Sequence, residues 1–102
     1  MGPTVVGLSS AIGSTILTVR APGGSERDLV VSATPDPVLA RRVTAGLRRL
    51  AWVRVDLSTP VPRCRVFGTS RQPRSLPVPL AAALSLVDAG LPVVVRVPEA
   101  ER

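Results

Sequence analysis

The sequence predicts an α+β fold, with two helices on one face of a four-stranded antiparallel sheet and an extra N-terminal strand. Its 102 residues fit a single domain, because a chain of about 100 residues can bury a core of its own. The hydrophobic content of 45% beside 20% charged residues is typical of a folded chain rather than a disordered one. From residue 29 the hydrophobic period alternates between that of strands and that of helices.

The first fourteen residues are predicted to be a tail or a loose strand. Their apolar run is interrupted by Gly7, Gly13 and several serines, so it falls short of the ~20 apolar residues that span a bilayer. No basic region precedes it, as a signal peptide requires. Residues 15–97 are predicted to form one domain, and residues 98–102 a charged tail.

A hairpin is expected next. Residues 15–21 and 28–34 are rich in β-branched and apolar side chains, and Pro22-Gly23-Gly24-Ser25 between them is a strong turn signal.

The first helix is predicted to begin at Asp36 and Pro37, since Asp caps helix N-termini and proline suits the first helical position. Four apolar residues at helical spacing share one side: Leu39, Val43, Leu47 and Leu50. Four arginines share the opposite side: Arg41, Arg42, Arg48 and Arg49. This pattern predicts an amphipathic surface helix that continues to residue 50.

Two strands with a period of two are predicted at residues 51–57 and 63–67. In the first, Trp52, Arg54 and Asp56 face away from the apolar side. In the second, Cys64 and Val66 share the inward face, which makes Cys64 a small core residue.

Residues 69–75 form the most polar stretch and are predicted to be a loop. A second helix is expected to begin at Pro77 or Pro79 and to run to about Ala89, with Gly90 as its left-handed cap. Since it is almost entirely apolar, it should be more deeply buried than the first helix. Residues 93–97 are the final predicted strand.

From residue 29 the order is strand, helix, strand, strand, helix, strand, which is the ferredoxin-like split βαβ (βαββαβ) arrangement. The first strand of that sheet is central, so it cannot simply also pair with residues 15–21. The alternative is a mixed sheet with five strands.

Residues 29–97 resemble the heavy-metal-associated domain of copper chaperones and of P-type metal-transporting ATPases. The resemblance is carried by three stretches: LRRLAWVRVDLST at 47–59, CRV at 64–66 and VDAGLPV at 87–93. It implies a Cys-x-x-Cys metal site in the loop at residues 34–39, but that loop has no thiolate or imidazole. The resemblance therefore implies a cytoplasmic domain that kept the fold, lost its metal and is associated with a membrane transporter.

The chain has no histidine, and Cys64 is its only cysteine. These counts exclude a Ser-His-Asp triad and a cluster of cysteine and histidine ligands. Asp36, Asp56 and Asp88 are far apart in sequence and make no expected catalytic pair. We therefore expect no enzyme activity, no metal and no cofactor.

The net charge is +6, and every basic residue is an arginine. The candidate patch for an anion or nucleic acid is Arg63, Arg65, Arg71 and Arg74. The helix arginines Arg41, Arg42, Arg48 and Arg49 are a secondary basic face. Solvated surfaces and coding bias explain arginines equally well. Trp52 and Phe67 are the only aromatic residues, a count that argues against a base-stacking platform.

The expected function is a protein-interaction or regulatory module without catalysis. It would use its open sheet face or an edge strand to bind a protein partner or a second copy of itself. The alternative is a small arginine-rich protein that binds nucleic acid.

Overall fold

A computed structural model describes residues 2–69 and 74–98, which form seven strands and two helices. Their order is β1 (Thr4–Ala11), β2 (Ser14–Arg20), β3 (Glu26–Val31), α1 (Pro37–Val43), β4 (Leu50–Asp56), β5 (Arg63–Gly68), β6 (Ser75–Val78), α2 (Leu80–Asp88) and β7 (Val93–Arg96). The strands make two sheets, one of three strands and one of four.

Sheet A contains β1, β2 and β3 in that order, and all of its pairs are antiparallel. The predicted hairpin is confirmed as β2 and β3, and Gly24 in its turn has φ 94°, a conformation that glycine adopts without steric cost. Residues 4–11, which the sequence placed in a tail or loose strand, form β1 along the other side of β2.

Sheet B has the strand order β6-β5-β4-β7. Strand β4 runs antiparallel to β5 but parallel to β7, and β6 is antiparallel to β5. The period of two in β4 and β5 sends Val53, Val55, Cys64 and Val66 to the inner face, where each is at most 5% exposed.

The predicted ferredoxin-like sandwich is therefore wrong, as is its single antiparallel sheet. Strand β3 pairs with β2 over six residues and belongs to sheet A, because a short hairpin closes more readily than a pairing with a distant strand. Residues 75–78, predicted as loop and helix start, form β6, whose Pro77 is tolerated at a sheet edge. Sheet B is mixed, since β7 is parallel to β4.

Helix α1 begins as predicted: Asp36 is the N-cap, its side chain accepts a hydrogen bond from the Leu39 amide at 3.0 Å, and Pro37 follows. It ends at Val43 rather than at residue 50. Thr44 is buried and donates its hydroxyl to the Ala40 carbonyl at 2.7 Å, and the Leu47 amide then bonds to the Thr44 carbonyl, which closes a turn instead of another helical repeat.

Helix α2 is buried as predicted, with Leu84 fully covered, and Gly90 after it has φ 97°. It packs against α1 and against β4 and β5. Leu17 and Val19 of sheet A join the same core, so both helices and sheet A lie on the inner side of sheet B. Within the described residues, neither helix is long and apolar enough to cross a bilayer.

Candidate functional site

The outer face of sheet B is the side turned away from α2. Alternate residues of its four strands form this face: Trp52, Arg54, Asp56, Arg63, Arg65, Phe67, Ser75, Pro77, Val94 and Arg96. Each is exposed or half-buried, in contrast to the valines between them. Most of its charged and aromatic side chains come from β4 and β5, which are the two central strands.

Trp52 and Phe67 are direct neighbours across the β4–β5 pair, and their rings stack. The ring centroids are 3.9 Å apart and the planes differ by 6°. Cross-strand aromatic pairs stabilise a sheet and fix each other's rotamers. The chain's only tryptophan and only phenylalanine thus form one rigid aromatic pair at the surface.

Arg54 and Arg65 also face each other across these strands, an arrangement that like charges disfavour. The guanidinium carbon of Arg54 lies over the Phe67 ring, 5.6 Å from its centroid, within the range of a cation–π interaction. Arg65 instead donates from Nε and Nη2 to the Ser75 hydroxyl of β6, at 3.2 and 3.0 Å. Both guanidinium groups are therefore positioned by neutral partners and keep their positive charge available.

Asp56 is the only carboxylate on this face, between Arg63 on β5 and Arg96 on β7 in the strand register. Its Oδ1 accepts hydrogen bonds from the hydroxyl and the amide of Ser58, the latter at 2.9 Å. These bonds hold the pKa of Asp56 below its usual value of 3.8, helped by the charges of Arg96 and Arg54. Asp56 is therefore ionised at neutral pH.

Four arginines of the outer face thus stand against one carboxylate. Among residues 2–69 and 74–98, the one ion pair within 4 Å joins Arg20 to Glu26 on sheet A. The arginines of the outer face are accordingly not neutralised by described carboxylates at that distance, which leaves the face positive.

The predicted patch is partly assembled. Arg63 and Arg65 lie on the outer face, and Arg74 is exposed just before β6, where its carbonyl accepts from the Gly68 amide at 3.0 Å. Arg71 lies outside the described residues. The structure adds Arg54 and Arg96 to this group.

The secondary basic face does not form one helix surface. Arg41 and Arg42 are exposed in the last turn of α1, but Arg48 and Arg49 follow the end of the helix and precede β4. The difference arises because α1 ends at Val43.

Trp52 and Phe67 are the residues whose role the sequence missed. Counting two aromatic residues predicted no stacking platform, but two rings suffice for one when strand pairing brings them together. The alternation in residues 52–56 and 63–67 places Trp52 with Arg54, and Phe67 with Arg65, on single faces. Only the register between the strands could join the two halves.

Cys64 lies on the inner face of β5, 5% exposed. Burial raises the pKa of its thiol to about 11, so it is protonated and shielded at neutral pH. In the part of the chain that the structure describes, no three His, Cys, Asp or Glu side chains are grouped so that they could hold a metal ion.

No family model matches this chain, and neither a curated protein nor a solved structure matches it. The resemblance to the heavy-metal-associated domain thus stays a prediction, and the ferredoxin-like fold that it implied is not the one observed.

Proposed function

We propose that this protein binds nucleic acid through the outer face of sheet B, without catalysis. One observation carries the proposal: the stacked Trp52–Phe67 pair lies among the arginines of the same open face. These arginines are Arg54, Arg63, Arg65 and Arg96.

The charge of the face fits a phosphate backbone. Guanidinium groups bind phosphate oxygens in a planar, bidentate manner, and each phosphate they neutralise releases counterions that favour binding. Since Arg54 and Arg65 are held by a ring and a hydroxyl rather than by carboxylates, a phosphate gains their charge without breaking an ion pair.

The aromatic pair favours nucleic acid over other polyanions. An acidic protein surface requires positive charge from its partner but no exposed rings, whereas bases stack on aromatic side chains and on arginine planes. Trp52 and Phe67 lie on the central strands, so a ligand that contacts them also passes over the neighbouring arginines.

The site can be mapped by a ¹H–¹⁵N NMR titration with an oligonucleotide of about ten nucleotides. We expect shifts in the Trp52 indole N–H, in the Nε–H groups of Arg54 and Arg65, and in the amides of β4 and β5. Sheet A, whose β2 and β3 are joined to the same core, serves as the internal control and should not shift. No shift with excess oligonucleotide, or shifts confined to α1 or sheet A, would rule out this site.

The second candidate function is self-association through the outer face of sheet A, as the sequence first suggested. Ile16 and Val30 are paired across β2 and β3 and are 39% and 70% exposed. The charges beside them are matched within the sheet: Arg20 pairs with Glu26, and the Thr18 hydroxyl donates to Asp28 at 2.7 Å.

Charge favours a second copy of this chain as the occupant. Residues 2–33 hold two arginines and two acidic residues, so the whole net charge of +6 lies in the rest of the chain. Two copies repel each other through sheet B but not through sheet A. Sedimentation velocity over a wide concentration range should show a dimer that Ile16→Thr with Val30→Thr abolishes. Val61→Thr, at an exposed valine outside both sheets, is the control and should leave the dimer intact. A concentration-independent monomer would exclude this candidate.

A further inference from the structure

We infer that the outer face of sheet B selects unpaired nucleotides over duplex. In this arrangement a base stacks on the exposed surface of the Trp52–Phe67 pair while neighbouring arginines hold the flanking phosphates. The inference rests on the proposed function and adds to it the substrate class, single-stranded RNA or DNA.

Base accessibility distinguishes the two substrates. In a duplex both faces of each base are covered by neighbouring base pairs, so a ring that projects from a sheet reaches only phosphates and groove edges. In a single strand the bases can be splayed out and stacked on aromatic side chains. A purely electrostatic face has no use for Trp52 and Phe67, whereas a face that binds unpaired bases requires them.

The positions of the side chains give the site a direction. Trp52 and Phe67 occupy one end of β4 and β5, Arg54 and Arg65 come next, and Asp56 lies opposite Arg63 at the far end. Neighbouring residues on one face of a strand are about 6.6 Å apart. Phosphates on either side of a base stacked at the aromatic end thus meet Arg54 and Arg65 before they approach Asp56.

The face is arranged before any ligand arrives. The two rings are already parallel, the Arg54 guanidinium already lies over Phe67, and Arg65 is already bonded to Ser75. Little side-chain freedom is left to lose on binding, which favours affinity for a ligand that fits this arrangement. Open four-stranded sheets that bind single-stranded RNA stack about two or three bases, and the single aromatic pair here fits the lower end of that range.

Trp52 supplies its own probe, because the chain has no other tryptophan and no tyrosine. A base stacked on the indole quenches its fluorescence, whereas phosphate contacts elsewhere do not. We therefore expect unlabelled single-stranded DNA and RNA of the same sequence to quench Trp52 emission to saturation. A hairpin duplex of the same nucleotide count should bind without comparable quenching.

Variants separate stacking from charge. With labelled oligonucleotides, Trp52→Leu and Phe67→Leu should each weaken single-strand binding about fivefold to a hundredfold, the range for losing one stacked base. Duplex affinity and the salt dependence should stay unchanged. Val94→Leu, at an exposed position of the same face on β7, is the matched control and should have no effect on either ligand. The arms with RNA and DNA show which backbone is preferred.

The outcomes are distinct. Quenching by single strands together with selective loss in the leucine variants supports the inference. Equal affinity for single strand and duplex, without quenching but with normal salt dependence, overturns it and leaves the proposed function standing. Absence of binding to either ligand overturns both.

Discussion

The guanidinium carbon of Arg54 lies over the Phe67 ring at 5.6 Å, although Arg65 is its direct neighbour across the two strands. The ring thus has two partners, Arg54 and the stacked Trp52. Two charges that would otherwise repel each other are separated, since Arg65 turns to Ser75 instead. Phe67 therefore organises both the aromatic and the cationic part of the outer face.

The contact between Trp52 and Phe67 should be measurable as a coupling energy. Stacked aromatic pairs contribute about 0.5–1.5 kcal/mol beyond the area they bury. We expect the double-mutant cycle of Trp52→Leu and Phe67→Leu, followed by urea denaturation, to give a coupling of about 1 kcal/mol. A coupling near zero would show that the two rings do not stack in solution.

Removing the carboxylate of the outer face should strengthen binding. Asp56 is ionised because Ser58 and neighbouring arginines lower its pKa, so Asp56→Asn removes a repulsive charge while the amide oxygen still accepts from Ser58. We expect an affinity gain of about two- to fivefold for an oligonucleotide at low salt. Asp88→Asn makes the same charge change at the end of α2 and should have a smaller effect. Equal gains for both variants would point to net charge rather than to this face.

The pH dependence of Asp56 has the opposite sign to that of a raised group. Because its pKa is lowered in the folded state, its contribution to stability is present above about pH 4, the value for a free aspartate. It is lost as the pH falls through the folded-state pKa.

Cys64 should make stability fall in alkaline solution. Its pKa rises from 9.0 to about 11 on folding, so its contribution is fully present below pH 9 and is lost as the pH rises through 11. We expect a loss of about 2 kcal/mol over this range. Since the chain has no lysine and no tyrosine, no other side chain normally titrates there.

Urea denaturation between pH 8 and pH 11 can measure this effect. Cys64→Ala should be less stable at pH 8, because it leaves a cavity, but its stability should not change further up to pH 11. An alkaline loss of the same size in Cys64→Ala would contradict the assignment to the thiol.

Gly68 is required at the end of β5. A Cβ atom there would lie 2.9 Å from the Arg49 carbonyl oxygen, and this oxygen is held by a hydrogen bond from the Thr69 amide. Gly68→Ala should therefore destabilise the fold by about 1–3 kcal/mol in thermal or urea unfolding. Gly46→Ala is the matched control, since nothing lies within 4 Å of its Cβ position, and it should be neutral or stabilising by less than about 1 kcal/mol. Equal effects of the two changes would exclude the close approach.

Local features of the fold could be read from the sequence because they depend on neighbouring residues. The Asp36 cap, the left-handed Gly90, the hairpin turn at Gly24 and the burial of Cys64 are all confirmed. Each follows from backbone chemistry or from a period of two or 3.6 within one element.

Features that depend on distant residues could not be predicted in this way. The end of α1 is fixed by the buried Thr44, whose environment no helical periodicity reveals. The parallel pairing of β4 with β7, and the register that brings Trp52 to Phe67, are choices among strands far apart in sequence. The candidate site was therefore half visible: Arg63 and Arg65 were identified, but not the aromatic pair beside them.

The central claim is that the arginines of this face bind phosphates, and the slope of log affinity against log salt concentration tests it most directly. Arg63→Gln with Arg65→Gln should reduce the slope for a single strand by about 1.4, since each lost phosphate contact removes about 0.7. Arg41→Gln with Arg42→Gln, an equal change of net charge on α1, should leave the slope nearly as it is. Equal reductions in the two double variants, or an unchanged slope in the first, would contradict the claim.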